Sequence, residues 1–171
     1  MKILTLLSTL FIFNTATFAS EKEDVLKAIM LNKISQFISY EENQKEFVIC
    51  IYNDEDMADT FNELYKVRKY KKLPIKVINI TSIKNLSECD IFYAKEPSKQ
   101  DLKVISSLKQ PYTLLVTDEP KFLEKGFMLS LFVRDSKISF SINQQALLDA
   151  NLKVNYRLLK VASKVINPVE H

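Results

Sequence analysis

The chain has 171 residues, 47% of them hydrophobic and 26% charged, enough for one domain with a real core. Its 24 Lys and Arg against 21 Asp and Glu leave +3 at pH 7, a near-neutral sum that argues neither for nor against nucleic acid, which only the export read below makes an unexpected partner. The single histidine is the terminal His171 and the single glycine is Gly126, which excludes a His-based general base or metal site and any Gly-rich phosphate loop.

Met1-Lys2 supplies a positive start, and residues 3–13 form an apolar run broken only by Thr5, Ser8 and Thr9. Thr17 and Ala19 then place small residues at minus three and minus one of a cleavage point before Ser20. This order predicts a secretory signal peptide over residues 1–19. A transmembrane anchor needs about 20 mostly apolar residues. The run here is shorter and meets Ser20-Glu21-Lys22-Glu23-Asp24 at once. Taking 19 residues from 171 leaves 152 for one exported domain, 20–171, whose net charge falls to +2 with the loss of Lys2. No later stretch approaches spanning length, so the exported chain is expected not to span a membrane.

Leu26, Ile29, Met30, Ile34, Phe37 and Ile38 recur at helical spacing and predict an amphipathic helix over 23–40. Leu31 and Tyr40 fall off that stripe and are expected on the outside. A strand at 47–52 follows. Asn53-Asp54-Glu55-Asp56 then offers a cap for a helix to about Val67. The cluster Lys66-Val67-Arg68-Lys69-Tyr70-Lys71-Lys72 reads as a solvated helix end with cations near the negative dipole end. Contact with anionic phospholipid or a partner is the alternative. Leu73-Pro74 closes this segment, and 75–80 is the next strand.

A turn over 82–88 leads to a strand at 90–94, and Pro97-Ser98 opens a helix to about Leu108. Pro111 precedes a strand at 112–116. After Asp118-Glu119-Pro120 comes one helical turn, ending at Gly126. Segments 127–133 and 138–142, joined by Arg134-Asp135-Ser136-Lys137, read as a β-hairpin, and helices at 143–150 and 155–166 close the chain. Strands separated by helices imply parallel crossovers. The prediction is a single three-layer α/β domain, mostly parallel, with an antiparallel edge hairpin.

Cys50 lies inside the first strand and Cys89 immediately before the third. An even pair in an exported chain predicts a disulfide. Closing a loop of that length is worth about 3–4 kcal/mol on the chain-entropy account. Two buried thiols are the alternative. Five carboxylates, Asp54, Glu55, Asp56, Asp118 and Glu119, follow two strands at their carboxyl ends, where open α/β sheets bind ligands. Helix capping explains them one by one, with a hard-cation site as the competing reading. No metal, cofactor or catalytic residue is predicted.

The string Phe140-Ser141-Ile142-Asn143, then Ala146, Ala150, Leu152, Val154 and Leu158-Leu159-Lys160-Val161-Ala162, resembles the end of the YfiR-like family. Lys27-Ala28 through Phe37-Ile38, Cys50-Ile51, Cys89-Asp90-Ile91-Phe92-Tyr93 and Phe122 to Leu129 match that family in order over about 24–165. Three features depart from it. The cysteines for a second disulfide are absent, Phe127 stands for the second glycine of a pair, and Tyr40 stands for the usual tryptophan.

The resemblance implies a non-catalytic periplasmic protein that restrains a membrane-bound diguanylate cyclase, or a comparable receptor, through that receptor's periplasmic domain. Cyclic di-GMP signalling would be its output. It also implies that Cys50 and Cys89 hold the fold. Leu31, Tyr40 and Tyr156 are the apolar residues expected to meet the partner, and a homodimer is a further assembly this reading allows. A periplasmic small-molecule carrier feeding a transporter or sensor is the alternative.

Overall fold

A computed structural model describes residues 15–40, 45–108 and 110–168; of residues 15–20 and Asn85 only the backbone is described. Residues 1–14 of the predicted signal peptide and His171 lie outside them. The chain runs α1 (Thr15–Ser35), β1 (Ile38–Ser39), β2 (Phe47–Tyr52), α2 (Glu55–Tyr65), β3 (Lys69–Tyr70) and β4 (Leu73–Ile80). A 3-10 turn (Ile83–Glu88) leads to β5 (Ile91–Tyr93), α3 (Lys99–Ser107) and β6 (Leu114–Thr117). A second 3-10 turn (Pro120–Lys125) leads to β7 (Leu129–Arg134) and β8 (Lys137–Asn143). Then come α4 (Gln144–Asp149), β9 (Lys153–Val154), α5 (Tyr156–Leu159) and β10 (Lys164–Ile166).

Eight strands form one sheet in the order β10-β8-β7-β6-β5-β2-β4-β3, and β1 pairs antiparallel with β9 in a second, two-stranded sheet. The central strands read as they must when both faces are covered. Ile91-Phe92-Tyr93 and Leu114-Leu115-Val116-Thr117 are buried throughout, with no alternation. Pairings β4–β2–β5–β6–β7 are parallel. The step from β2 to β4 moves one way along the sheet and the steps β4 to β5 to β6 to β7 move the other. Right-handed crossovers therefore place α2 on one face, with α1 against it, and α3 with both 3-10 turns on the other. The three-layer, mostly parallel architecture is the one predicted.

Local chemistry sets the joints. Asp54 caps α2, its carboxylate accepting from the Met57 N–H at 2.9 Å. Ser98 and Asp101 form a reciprocal capping box on α3. The hairpin β7–β8 closes through Asp135 and Ser136, both at positive φ (50° and 59°), the mirror-image turn that suits strand twist. Gly126, at φ 102°, ends its 3-10 turn in the left-handed region that a side chain resists.

Two expectations change. The first helix spans Thr15–Ser35 rather than 23–40, and it buries Asp24, Lys27, Ala28, Leu31, Ile34 and Ser35. Leu26 and Phe37, placed on the buried stripe by their hydropathy, are 50% and 41% exposed. The stripe is rotated because two charged residues on the inner face find partners across the sheet. Second, the predicted closing helix 155–166 is a single turn, α5, followed by β10. Val165 and Ile166 are β-branched and pair in parallel with Ile142 and Asn143 of β8. The hairpin is thus covered on its outer side by one more strand.

Candidate functional site

Where the strand order reverses, between β2 and β5, an open α/β sheet leaves a crevice at its carboxyl edge. Tyr52-Asn53-Asp54 leave β2 on one side of it and Lys95-Glu96 leave β5 on the other, enclosing a cleft of about 390 Å³. Ser98 and Asp101, at the start of α3, complete its lining. The Tyr52 hydroxyl donates to the Asp101 carboxylate at 3.1 Å. A second cleft, of about 290 Å³, lies at the opposite edge and is lined in part by Cys89, Asp90 and Tyr112.

Two charged residues of the cleft lining, Lys95 and Asp54, pair with each other, and Lys95 also reaches α1. Lys95 Nζ lies 2.9 Å from both Asp24 and Asp54. One turn along α1, Lys27 sits 2.5 Å from Asp118, at the end of β6, and 2.5 Å from Glu23. Asp118 also accepts from the Tyr93 hydroxyl at 2.5 Å. Lys27 is 2% exposed and Asp24 4%. The two ion pairs thus join α1 to the ends of β5 and β6, across 71 and 91 residues of sequence.

The two sides of the Lys95 pair are not equally satisfied. Burial pulls the Lys95 pKa down, but hydrogen bonds to two carboxylates more than reverse it, leaving it above the usual lysine value. For Asp24, burial dominates and raises the carboxyl above 3.8, with Lys95 and Lys27 offsetting only part of it. Asp24 is the more enclosed partner. Tyr93 is pushed well above the ordinary phenol value by burial and then by the Asp118 charge beside it, so it donates its proton and keeps it.

Among the five carboxylates singled out from sequence, Asp54 caps a helix and also binds Lys95. Asp118 caps nothing and instead holds Lys27 and Tyr93. Glu119 precedes its 3-10 turn without a side-chain capping bond and pairs with Lys121 at 3.0 Å. Capping explains Asp54, and Glu55 and Asp56 stand in the first turn of α2 where the dipole favours them, but capping does not explain Asp118 or Glu119. Among the described residues no set of three or more acidic, Cys or His side chains converges as metal ligands would.

Cys50 and Cys89 are joined in a disulfide, with Cα atoms 5.8 Å apart. It ties β2 to the end of the 3-10 turn that enters β5. The expected partner-facing residues fare differently. Leu31 is fully buried, and Tyr40 is 6% exposed, packed edge-on against Phe47 and Tyr70. Neither is presented at the surface, because the rotated α1 turns Leu31 inward and Tyr40, just after the short β1, enters an aromatic cluster. Tyr156 is 60% exposed. Leu26 and Phe37 share its exposure, and Asn155 N–H donates to the Phe37 carbonyl at 2.9 Å, which brings Phe37 beside α5. Sequence reasoning missed these two by assigning them to the core.

The family model described as YfiR/HmsC-like matches residues 24–163. The chain belongs to the YfiR/HmsC-like family. No individually curated protein matches the chain by sequence. Among solved structures, an ABC domain from Streptococcus pneumoniae in complex with L-Trp is similar at TM-score 0.50 and 14% identity, over 84% of this chain and 60% of that one. A conserved domain protein from Vibrio cholerae is similar at TM-score 0.51 and 16% identity, over 82% and 60%. At such identities the likeness is one of fold. This family member spans about 60% of the length of either neighbour.

Proposed function

We propose that this chain is an exported, non-catalytic regulator that binds the periplasmic domain of a membrane receptor, first among them a diguanylate cyclase, and holds it in one signalling state. The family match over residues 24–163 carries the reading, since it covers nearly all of the domain that follows the proposed leader. The site chemistry is in keeping with it. At the sheet edge where ligands and reacting groups usually sit, Lys27, Lys95, Asp24, Asp54 and Asp118 satisfy one another. The disulfide fits an oxidising compartment. No helix among the described residues is long and apolar enough to cross a membrane.

A regulator shifts its partner only by the difference in its affinity for the partner's two states, and a near-complete switch takes about 5 kcal/mol. Exposed apolar area must supply part of that. Leu26, Phe37 and Tyr156 replace Leu31 and Tyr40 as the residues to do so. Deleting the gene should raise cyclic di-GMP, and Phe37→Asp or Tyr156→Asp should reproduce the deletion while leaving the far-ultraviolet spectrum and thermal midpoint unchanged. Unaltered cyclic di-GMP in the deletion strain, with no receptor recovered by crosslinking, would overturn the reading.

A carrier is the second reading, favoured by the 390 Å³ cleft and by the L-Trp bound in one structural neighbour. A thermal-shift screen of free amino acids, repeated with Tyr52→Ala, decides it. A midpoint raised in the parent and not in the variant supports a carrier, and no shift removes it.

A further inference from the structure

The amino edge of the sheet carries a feature that the receptor reading leaves unused. α2 ends at Tyr65, and the chain turns through Lys66-Val67-Arg68 into β3, the outermost strand, then reverses over Lys71-Lys72 into β4. Five cations fall within seven residues. Lys66, Lys69, Lys71 and Lys72 are exposed and Arg68 is half-buried. At their centre Val67 is 89% exposed, the highest of the large apolar side chains exposed among the described residues. Glu63, paired with Lys66, is the carboxylate that answers this cluster, and both side chains lie in solvent.

The cluster is held on a fixed frame. Tyr70 is buried and its hydroxyl donates to the Ile38 carbonyl at 3.0 Å. Gln36 bridges the turn, its amide donating to the Lys69 carbonyl at 3.4 Å and accepting from the Lys71 N–H at 3.2 Å. The lysines are therefore displayed by a backbone tied to α1 and β1 rather than by a loose loop. Lysines on an outermost strand also discourage pairing with a second sheet. Cations at the end of α2 complement its dipole. Those roles account for Lys69 and for Lys66 and Arg68, and they leave Val67 without one.

A projecting apolar side chain ringed by long aliphatic cations matches a surface that is anionic outside and apolar just beneath. An acidic protein surface would meet the cations, but it would need a pocket for Val67. We propose that the turn over residues 66–72 docks the protein on a bilayer carrying anionic phospholipid, with the five cations on headgroup phosphates and Val67 entering the boundary below them. This goes beyond the receptor reading and stands without it, since it calls for no receptor in the membrane.

Co-sedimentation of the exported protein with unilamellar vesicles tests it, using phosphatidylcholine alone and phosphatidylcholine with one-third phosphatidylglycerol. Binding is expected to the mixed vesicles only, and to fall away at 0.5 M salt. Each cation near such a surface adds about fivefold to the partition. Lys69→Glu with Lys72→Glu should therefore lower it at least ~25-fold. Val67→Asp, which leaves the cations in place, should lower it as well, and Val67→Leu should not. Circular dichroism confirms that each variant is folded. Equal binding to both vesicle types, or a double variant that binds like the parent, would overturn the proposal. So would no vesicle binding together with capture on an acidic protein column.

Discussion

At the scale of single residues, the ion pair between Lys95 and Asp24 is asymmetric, and its two halves respond differently to removal. Lys95→Met leaves Asp24 buried without its partner and should cost about 2 kcal/mol, less than a fully enclosed pair because Lys95 is partly exposed. Asp24→Asn removes the under-compensated charge and should be neutral or mildly stabilising at pH 7. The pH dependence has a definite sign. Burial raises the folded Asp24 pKa above 3.8, so its contribution to stability is complete below about 3.8 and is lost as pH rises through the raised value. The parent should accordingly gain on Asp24→Asn as pH falls from 7 to 4, read from urea midpoints. Gly126→Ala has ordinary room, its new Cβ lying 3.6 Å from Ser106 Cα, yet at φ 102° it should cost about 1–2 kcal/mol in thermal or urea unfolding. That glycine's role was legible, because a lone glycine after one helical turn has few other uses. The burial of Asp24 and Lys27 was not. Nothing local to residues 23–27 shows that a lysine at 95 and a carboxylate at 118 await them.

The elements divide along the same line. β2, β5 and β6 are unbroken apolar runs whose type needs no distant information, and each appears within two residues of where its pattern placed it. α1 was legible as a helix but not in its rotation. Hydropathy puts Leu26 and Phe37 inside, whereas the charges that bolt the helix to the sheet turn both outward. The closing segment misled for a related reason. Leu158, Ala162 and Val165 recur at helical intervals, but β8 offers an unpaired edge, and β-branched Val165 and Ile166 settle there as β10. The Ser163 N–H, donating to the Phe140 carbonyl at 2.8 Å, starts that pairing. Truncation after Lys160 should uncover the β8 edge. A lower thermal midpoint and concentration-dependent association on size exclusion are expected, since an open edge invites pairing with another chain. A truncated protein with the parent's elution volume and midpoint would show that β10 contributes little.

For the whole molecule, the cleft and the cationic turn lie at opposite ends of one sheet. The carboxyl edge holds a cleft beside ion pairs of the chain's own making, Leu26, Phe37 and Tyr156 lie outside the core, and the cationic turn sits at the amino edge. Nearly all of this could be placed from sequence only as far as a fold and a family. The exposure of Leu26 and Phe37 depends on the rotation of one helix. The disulfide has a different reach. Joining positions 50 and 89, it makes a closed covalent ring that includes α2, the cationic turn, β3, β4 and the first 3-10 turn. Lys66, exposed just past the end of α2 and followed by exposed Val67, offers a trypsin-like protease a place to cut, and it lies inside that ring. A single nick there opens the ring without dividing the molecule. The clipped protein should run as one band without reductant and as two with it. It should lose roughly 4 kcal/mol of the stability that loop closure confers, by the chain-entropy account. Cut at this turn, the protein would be wounded and still remain one piece.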